Sequence, residues 1–272
     1  MSLEILRPYN KYFKNIQVLR FLSVVFVVLY HLNVPYFENG YLGVDIFFIV
    51  SGYVVTKSIY FQLQTGTFKI ILFYNQRLKR LLPALYLMLI VTFIFSLIYD
   101  PPHVTKDISQ AIVSIVLYMS NIFYYTEIDY FNTFLNESAL LHTWSLSLEE
   151  QFYFILPLTI YLFYLTPKLF KFLVAFLIIL SASSYYFTLS SDPLASFYFP
   201  FNRFWELFLG VFISLVNRRY SNTIVSNISF GLLILFIMSP KNEYILIFVI
   251  IISIIIILFS ETKISIFYNN FF

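Results

Sequence analysis

The chain has no cysteine, only three histidines and six glycines, and just 11% of its 272 residues are charged. Without a thiol there is no disulfide, no cysteine-ligated zinc and no cysteine nucleophile. So low a charged fraction excludes an ordinary soluble globule, in which about a quarter of residues carry charge. No internal repeat, no Gly/Ser linker and no hydrophilic stretch long enough for a soluble domain interrupts the sequence. What is present is apolar: 60% hydrophobic and 22% aromatic residues. This composition predicts an all-α polytopic membrane protein folded as one integral-membrane domain over residues 1–272.

Apolar runs of spanning length occur at about 16–32, 43–60, 81–99, 108–125, 148–165, 169–187, 204–216, 224–239 and 244–260, which predicts eight to nine transmembrane helices. The opening MSLEILRPYNKYFKNIQ is polar and basic and no small-residue cleavage site follows the first run, so a retained first helix is expected. Lys and Arg cluster before the first span (Arg7, Lys11, Lys14), after the second (Lys57, Lys69, Arg77, Lys79, Arg80), before the sixth (Lys168, Lys171), after the seventh (Arg218, Arg219) and after the ninth (Lys263). The positive-inside rule makes these cytoplasmic, the N-terminus with them. Between them, 126–147 holds only Glu127, Asp129 and Glu137 as charges and belongs outside. One complete crossing by 108–125 would put that stretch inside. Part of 108–147 is therefore predicted to dip in and return on the same side, lining a cavity, since irregular backbone at membrane depth must be shielded from lipid.

The polar residues within these runs are few. Arg20 and His31 bound RFLSVVFVVLYH. Eleven helical steps return to within about 20° of the start and rise about 16 Å, so one face carries both groups. An ionisable side chain in a membrane segment marks a functional site by default. The plainer alternative is a snorkelling Arg and a His satisfied in the bundle core. In GYLGVDIFFIVSGY a buried Asp45 calls for a partner, Arg20 or His31, either as an ion pair between helices or in catalysis. In FYNQRLKRLLPALY, Arg77 and Arg80 stand three apart on one helical face, suited to phosphate or to plain anchoring. His142 and Glu149 in LLHTWSLSLEEQFYFILP are seven apart on one face, with Ser145 and Ser147 between them, and Glu150 adjoins Glu149. Arg203 and Glu206 are spaced to neutralise each other.

Four segments, RFLSVVFVVLYH, GYLGVDIFFIVSGY, FYNQRLKRLLPALY and LLHTWSLSLEEQFY, followed by FNRFWELFLG, resemble the successive signatures of the acyltransferase-3 family of bacterial inner-membrane O-acyltransferases. The resemblance is strongest over 16–216. It fades over 217–272, where further spans are expected and where family members usually continue, so it implies a short or truncated member. Carried over residue by residue, it implies Arg20 and His31 in the active site, Arg77 and Arg80 with acyl-coenzyme A, and Glu149 as a further important residue, with Glu150 the adjacent alternative.

On that reading, an acyl group, expected to be acetyl, passes from acetyl-CoA or another acyl-CoA to a hydroxyl of an envelope polysaccharide or lipid-linked glycan. His31 is the general base, Glu149 or Asp45 orients it, and Arg20 stabilises the thioester oxygen or coenzyme A. The acceptor enters from outside past Trp144, whose ring would stack on a sugar, with His142, Ser145 and Arg203 nearby. Neither a metal nor a nucleic-acid partner is expected; the bilayer itself is a partner. A covalent acyl-histidine stays open. So do two other classes, a polysaccharide transporter, flippase or polymerase, and an inactive remnant. A transporter would carry pseudo-symmetric broken halves, and the sequence shows none.

The charge argument makes a topological prediction independent of the resemblance. Because the chain has no native cysteine, single cysteines at Thr105, Asn132 and Ser58 can be probed in intact cells with an impermeant thiol reagent. Thr105 and Asn132 should label and Ser58 should not. Labelling of Asn132 only after the membrane is opened would mean a full crossing at 108–125.

Overall fold

The computed structural model describes residues 14–127, 138–216, 220, 222–242 and 244–259. Arg7, Lys11, Asp129, Glu137, Arg218, Arg219 and Lys263, on which part of the orientation argument rests, lie outside the described residues. Every regular element among the described residues is helical. Four helices are long and apolar enough to cross a membrane, Gly40–Gln64, Ile70–Tyr99, Pro167–Ser191 and Pro193–Val216, and Asn15–His31, Thr223–Ile237 and Ile245–Leu258 are shorter apolar helices. This is the helical, multi-pass architecture that composition demands, and the expected run at 108–125 departs from it. That run is split between Pro102–Val116 and Ser120–Glu127. At 1.5 Å per residue the two pieces measure only about 22 and 12 Å, each short of a hydrocarbon core about 30 Å thick.

The chain forms two compact units. One runs to Val55 and resumes at Glu206. It contains α1 (Lys14–His31), a 3-10 turn (Gly40–Leu42), α2 (Gly43–Gln64) as far as Val55, the latter part of α9 (Pro200–Val216), α10 (Thr223–Ile237) and α11 (Ile245–Leu258). Glycines set the approach distances here. A Cβ on Gly40 or Gly43 would run into the carbonyl oxygens of Phe26 and Ser23 on α1. Likewise, a Cβ on Gly52 would meet the Leu207 carbonyl, and one on Gly210 the Ile49 carbonyl. Thus α2 and α9 touch backbone to backbone, the device by which helices in lipid gain van der Waals contact without a hydrophobic driving force. Buried amides close the unit: Asn15 donates to Ser226 Oγ (3.0 Å), and Asn39 donates to the Ser239 carbonyl (2.6 Å).

The other unit is Thr56–Trp205. Its helices are α3 (Ile70–Tyr99), α4 (Pro102–Val116), α5 (Ser120–Glu127), α6 (Thr143–Phe163), α7 (Pro167–Ser191) and α8 (Pro193–Tyr198). α5 packs on both α6 and α8, α4 on α3, and α7 on α6 and α8. The 30-residue α3 runs on through Pro83; at about 45 Å it exceeds the hydrocarbon thickness, so its first turns extend beyond the core. Exposed Leu, Ile and Phe side chains line α3 and α7, as lipid-facing helices require.

The α2/α9 crossing yields a stability prediction. Gly210→Ala should lower the thermal midpoint in detergent, with a destabilisation of about 1–3 kcal/mol from overpacking. Gly231 on α10 has nothing within 4 Å of an added Cβ. Gly231→Ala should be neutral or stabilise by about 0.5–1 kcal/mol through lost chain entropy.

Candidate active site

Arg20 and His31 both lie on exposed surface of α1, as their register requires. His31 is the last residue of α1, and the chain turns directly afterwards through Asn33 and Tyr36, both at positive φ. A histidine in the last turn also meets the negative end of the helix dipole. Its Nδ1 lies 2.8 Å from the Val27 carbonyl. A carbonyl only accepts, so Nδ1 carries the proton and the Nε2 lone pair faces outward. The Val27 carbonyl thus fixes the orientation of the imidazole from within its own helix. Arg20 places its guanidinium 5.2 Å from the centroid of the Phe47 ring, a cation-π contact. Asp45 is buried in the first turn of α2, where free backbone N–H groups and the helix dipole favour a carboxylate.

Arg77 and Arg80 share the start of α3 but not an environment. Arg80 is exposed, whereas Arg77 turns inward onto α6. Its Nε sits 2.7 and 3.0 Å from the two carboxylate oxygens of Glu150. An Nη nitrogen lies 3.8 Å from Glu149. The guanidinium stacks 3.7 Å above the Tyr153 ring, and Tyr153 donates its hydroxyl to Glu149 at 2.8 Å. One turn earlier on α3, Tyr74 donates to the Phe154 carbonyl at 2.7 Å. The two adjacent carboxylates of α6 are thereby accounted for: they share one cation. Tyr153, four residues after Glu149, was legible as a same-face partner and went unremarked in the sequence.

The break between α4 and α5 is anchored to the same stretch of α6. Tyr118, at φ 55, turns the chain, and Gln151 donates to its carbonyl (2.7 Å) and to Asn121 Oδ1 (2.8 Å). Ser120 and Ser147 bring their hydroxyls to 2.7 Å. Neither Gln151 nor Tyr118 gave any sequence signal, since nothing local specifies a left-handed tyrosine.

Trp144 and Arg203 come together, but as a wall. Arg203 is 4% exposed and Trp144 6%. The guanidinium lies 5.7 to 6.0 Å from the rings of Phe197, Trp144 and Tyr185. Phe197 packs on Trp144 at 4.4 Å and Tyr198 meets it edge-on. A ring so covered is unavailable for stacking on a sugar, contrary to the expectation. His142 is exposed at the N-cap of α6, and Ser145 donates to its carbonyl at 3.1 Å. Arg203 and Glu206 follow one another along α9, both buried.

Comparison with known proteins now bears on this geometry. A family described as an acyltransferase domain matches residues 13–271, so the likeness extends beyond the 16–216 stretch where the signatures lie. An O-acetyltransferase OatA of Staphylococcus aureus is 39% identical over 152 residues, covering 55% of this chain and 25% of that protein. The peptidoglycan O-acetyltransferase OatA of Listeria monocytogenes is 34% identical over 214 residues, covering 76% of this chain and 34% of that protein. The chain thus spans between a quarter and about a third of the length of these relatives. No solved structure matches.

The ion cluster makes a prediction. Glu150→Gln leaves Arg77 with Glu149 as its carboxylate neighbour and should destabilise the protein by about 1.5–3 kcal/mol, the range for a hydrogen bond to a charged group. Tyr153→Phe removes one neutral-to-anion hydrogen bond and should cost about 1.5–3 kcal/mol. Thermal unfolding in detergent checks both. Arg80→Gln, at an exposed site, should leave the midpoint unchanged.

Proposed function

The chain belongs to the acyltransferase-3 family, and we propose that it transfers an acetyl group from acetyl-coenzyme A to a hydroxyl of cell-envelope glycan, peptidoglycan being the first acceptor to test. The observation that carries the reading is His31: an imidazole whose Nδ1–H is held by the Val27 carbonyl and whose Nε2 is left as the base. The acceptor hydroxyl gives its proton to Nε2 as its oxygen attacks the thioester carbon. The carbon–sulfur bond then breaks, and the thiolate of coenzyme A takes the proton from the imidazolium. Arg20 stands eleven residues from His31, about 16 Å along α1, which suits the body of the donor better than the thioester oxygen. Arg80, from the exposed side, and Arg77, held by its carboxylates, take the nucleotide phosphates.

The same reading puts the protein in the bacterial inner membrane with its N-terminus in the cytoplasm and eight to nine crossings. The broken α4/α5 segment supports a re-entrant element beside α6. The peptidoglycan acceptor is suggested by the name of the Listeria relative.

Membranes containing the protein should move label from acetyl-coenzyme A into glycan. His31→Ala should reduce this by about 10²–10⁴-fold, the usual share of general acid–base catalysis, with protein level and membrane insertion unchanged. Retained acylation in that variant would remove His31 from the chemistry.

A further inference from the structure

An acceptor sugar finds no platform at Trp144, which Phe197 and Tyr198 cover. Exposed aromatic rings do lie beside His31, on the turn that joins α1 to α2. Tyr30 meets the His31 ring edge-on, with centroids 5.3 Å apart at 86°, and meets Tyr41 at 5.7 Å and 61°. His31, Tyr30 and Tyr41 therefore form one aromatic row, its ends no further apart than those two spacings laid end to end. Tyr41 is 38% exposed, and Tyr36, five residues after His31, is 72% exposed.

The turn is fixed along its length. Asn33 closes α1 in a Schellman arrangement: its N–H donates to the Tyr30 carbonyl (3.0 Å) and that of Val34 to the Leu29 carbonyl (3.1 Å). Asparagine at φ 52 is ordinary there. The Phe37 N–H then donates to the Val34 carbonyl (3.2 Å), closing a second turn with Pro35 and Tyr36 at its centre. Proline fixes a negative φ, so the φ of 70 at Tyr36 makes this turn type II, whose third position suits glycine or asparagine. The turn accounts for the backbone at Tyr36 but not for the choice of a tyrosine, whose ring adds little to the core. Beyond it, Phe37 packs on Phe26 at 6.4 Å and the buried Asn39 donates to the Ser239 carbonyl at 2.6 Å. A Cβ on Gly40 would lie 2.9 Å from Tyr30 Cβ, so glycine there lets the chain pass close enough for Tyr41 to meet Tyr30. All of these residues belong to one unit.

We propose that Tyr36 and Tyr41 form the platform on which the acceptor glycan stacks, with its reacting hydroxyl presented to His31. The inference rests on the acyl-transfer reading above and deepens it by naming the acceptor's contact. In that reading α1 ends at the outer surface, the side of the envelope glycan, and residues 32–42 contain no Lys or Arg. The C–H face of a sugar ring covers a tyrosine ring while its hydroxyls stay open to water and to the base. Aromatic anchoring at a membrane surface needs no fixed direction, whereas these rings ride on a turn held at both ends, which lowers the ordering cost of binding.

Tyr36→Gly tests the first ring, because glycine takes this φ freely and keeps the turn; Tyr41→Leu and Tyr41→Phe test the second. The measurements, in detergent, are retention of labelled peptidoglycan glycan strands by the protein and label transfer from acetyl-coenzyme A across acceptor and donor concentrations. Tyr36→Gly and Tyr41→Leu should each weaken retention and raise the acceptor KM about two- to tenfold, the worth of one aromatic contact. The donor KM should stay unchanged, and Tyr41→Phe, which keeps the ring, should behave as wild type. Wild-type retention and acceptor KM in both ring-deleted variants overturn the proposal and return the rings to membrane anchoring. So does a Tyr41→Phe as impaired as Tyr41→Leu, or a donor KM that rises with the acceptor KM. A wild-type protein that retains the strands but transfers no label overturns the acyl-transfer reading instead, and retention by the variants then decides the platform alone.

Discussion

A guanidinium taken out of water must be neutralised where it lands, and the second unit is organised around how this is done for Arg77. Burial in a low dielectric makes an unpaired charge prohibitive, while a carboxylate at hydrogen-bond distance turns the same dielectric to advantage. Glu150 supplies both carboxylate oxygens, Glu149 adds a longer-range charge, and Tyr153 lies beneath as a polarisable floor. Satisfying Arg77 therefore requires α6 to present Glu149, Glu150 and Tyr153, within about one and a half turns, toward α3. The same turns carry Gln151 toward the α4/α5 break and Ser147 toward Ser120. One half-buried cation thus holds three polar side chains of α6, and their neighbours hold the α4/α5 break.

The other unit meets the opposite problem, how to hold apolar helices together where lipid offers nothing to exclude. It uses backbone proximity at Gly52 and Gly210 and the turn glycines Gly40 and Gly43 against α1. Its polar groups are sparing. His31 is oriented by a backbone carbonyl within its own helix, which costs no second charge. That economy leaves the imidazole oriented by the backbone on the exposed surface of α1.

What could be read from residues alone was whatever depends on composition, period and spacing. The apolar runs predicted helices and a membrane because no alternative satisfies the backbone in hydrocarbon. The eleven-residue interval set Arg20 and His31 on one face because helical rise and twist are constant. The placement of Lys and Arg predicted that part of 108–147 dips in and returns on the same side; in the structure 102–127 is two helices, Pro102–Val116 and Ser120–Glu127, separated by a turn at Tyr118. Only the tertiary structure decided which partners these side chains take: Arg77 with two carboxylates some seventy residues away, Trp144 buried against Phe197, and the Val27 carbonyl at His31 Nδ1. The reason is physical. Period and hydropathy are summed over a helix and survive without neighbours, whereas the pairing of a buried charge is settled by which helices lie within about 4 Å, a long-range choice that no local stretch of sequence encodes.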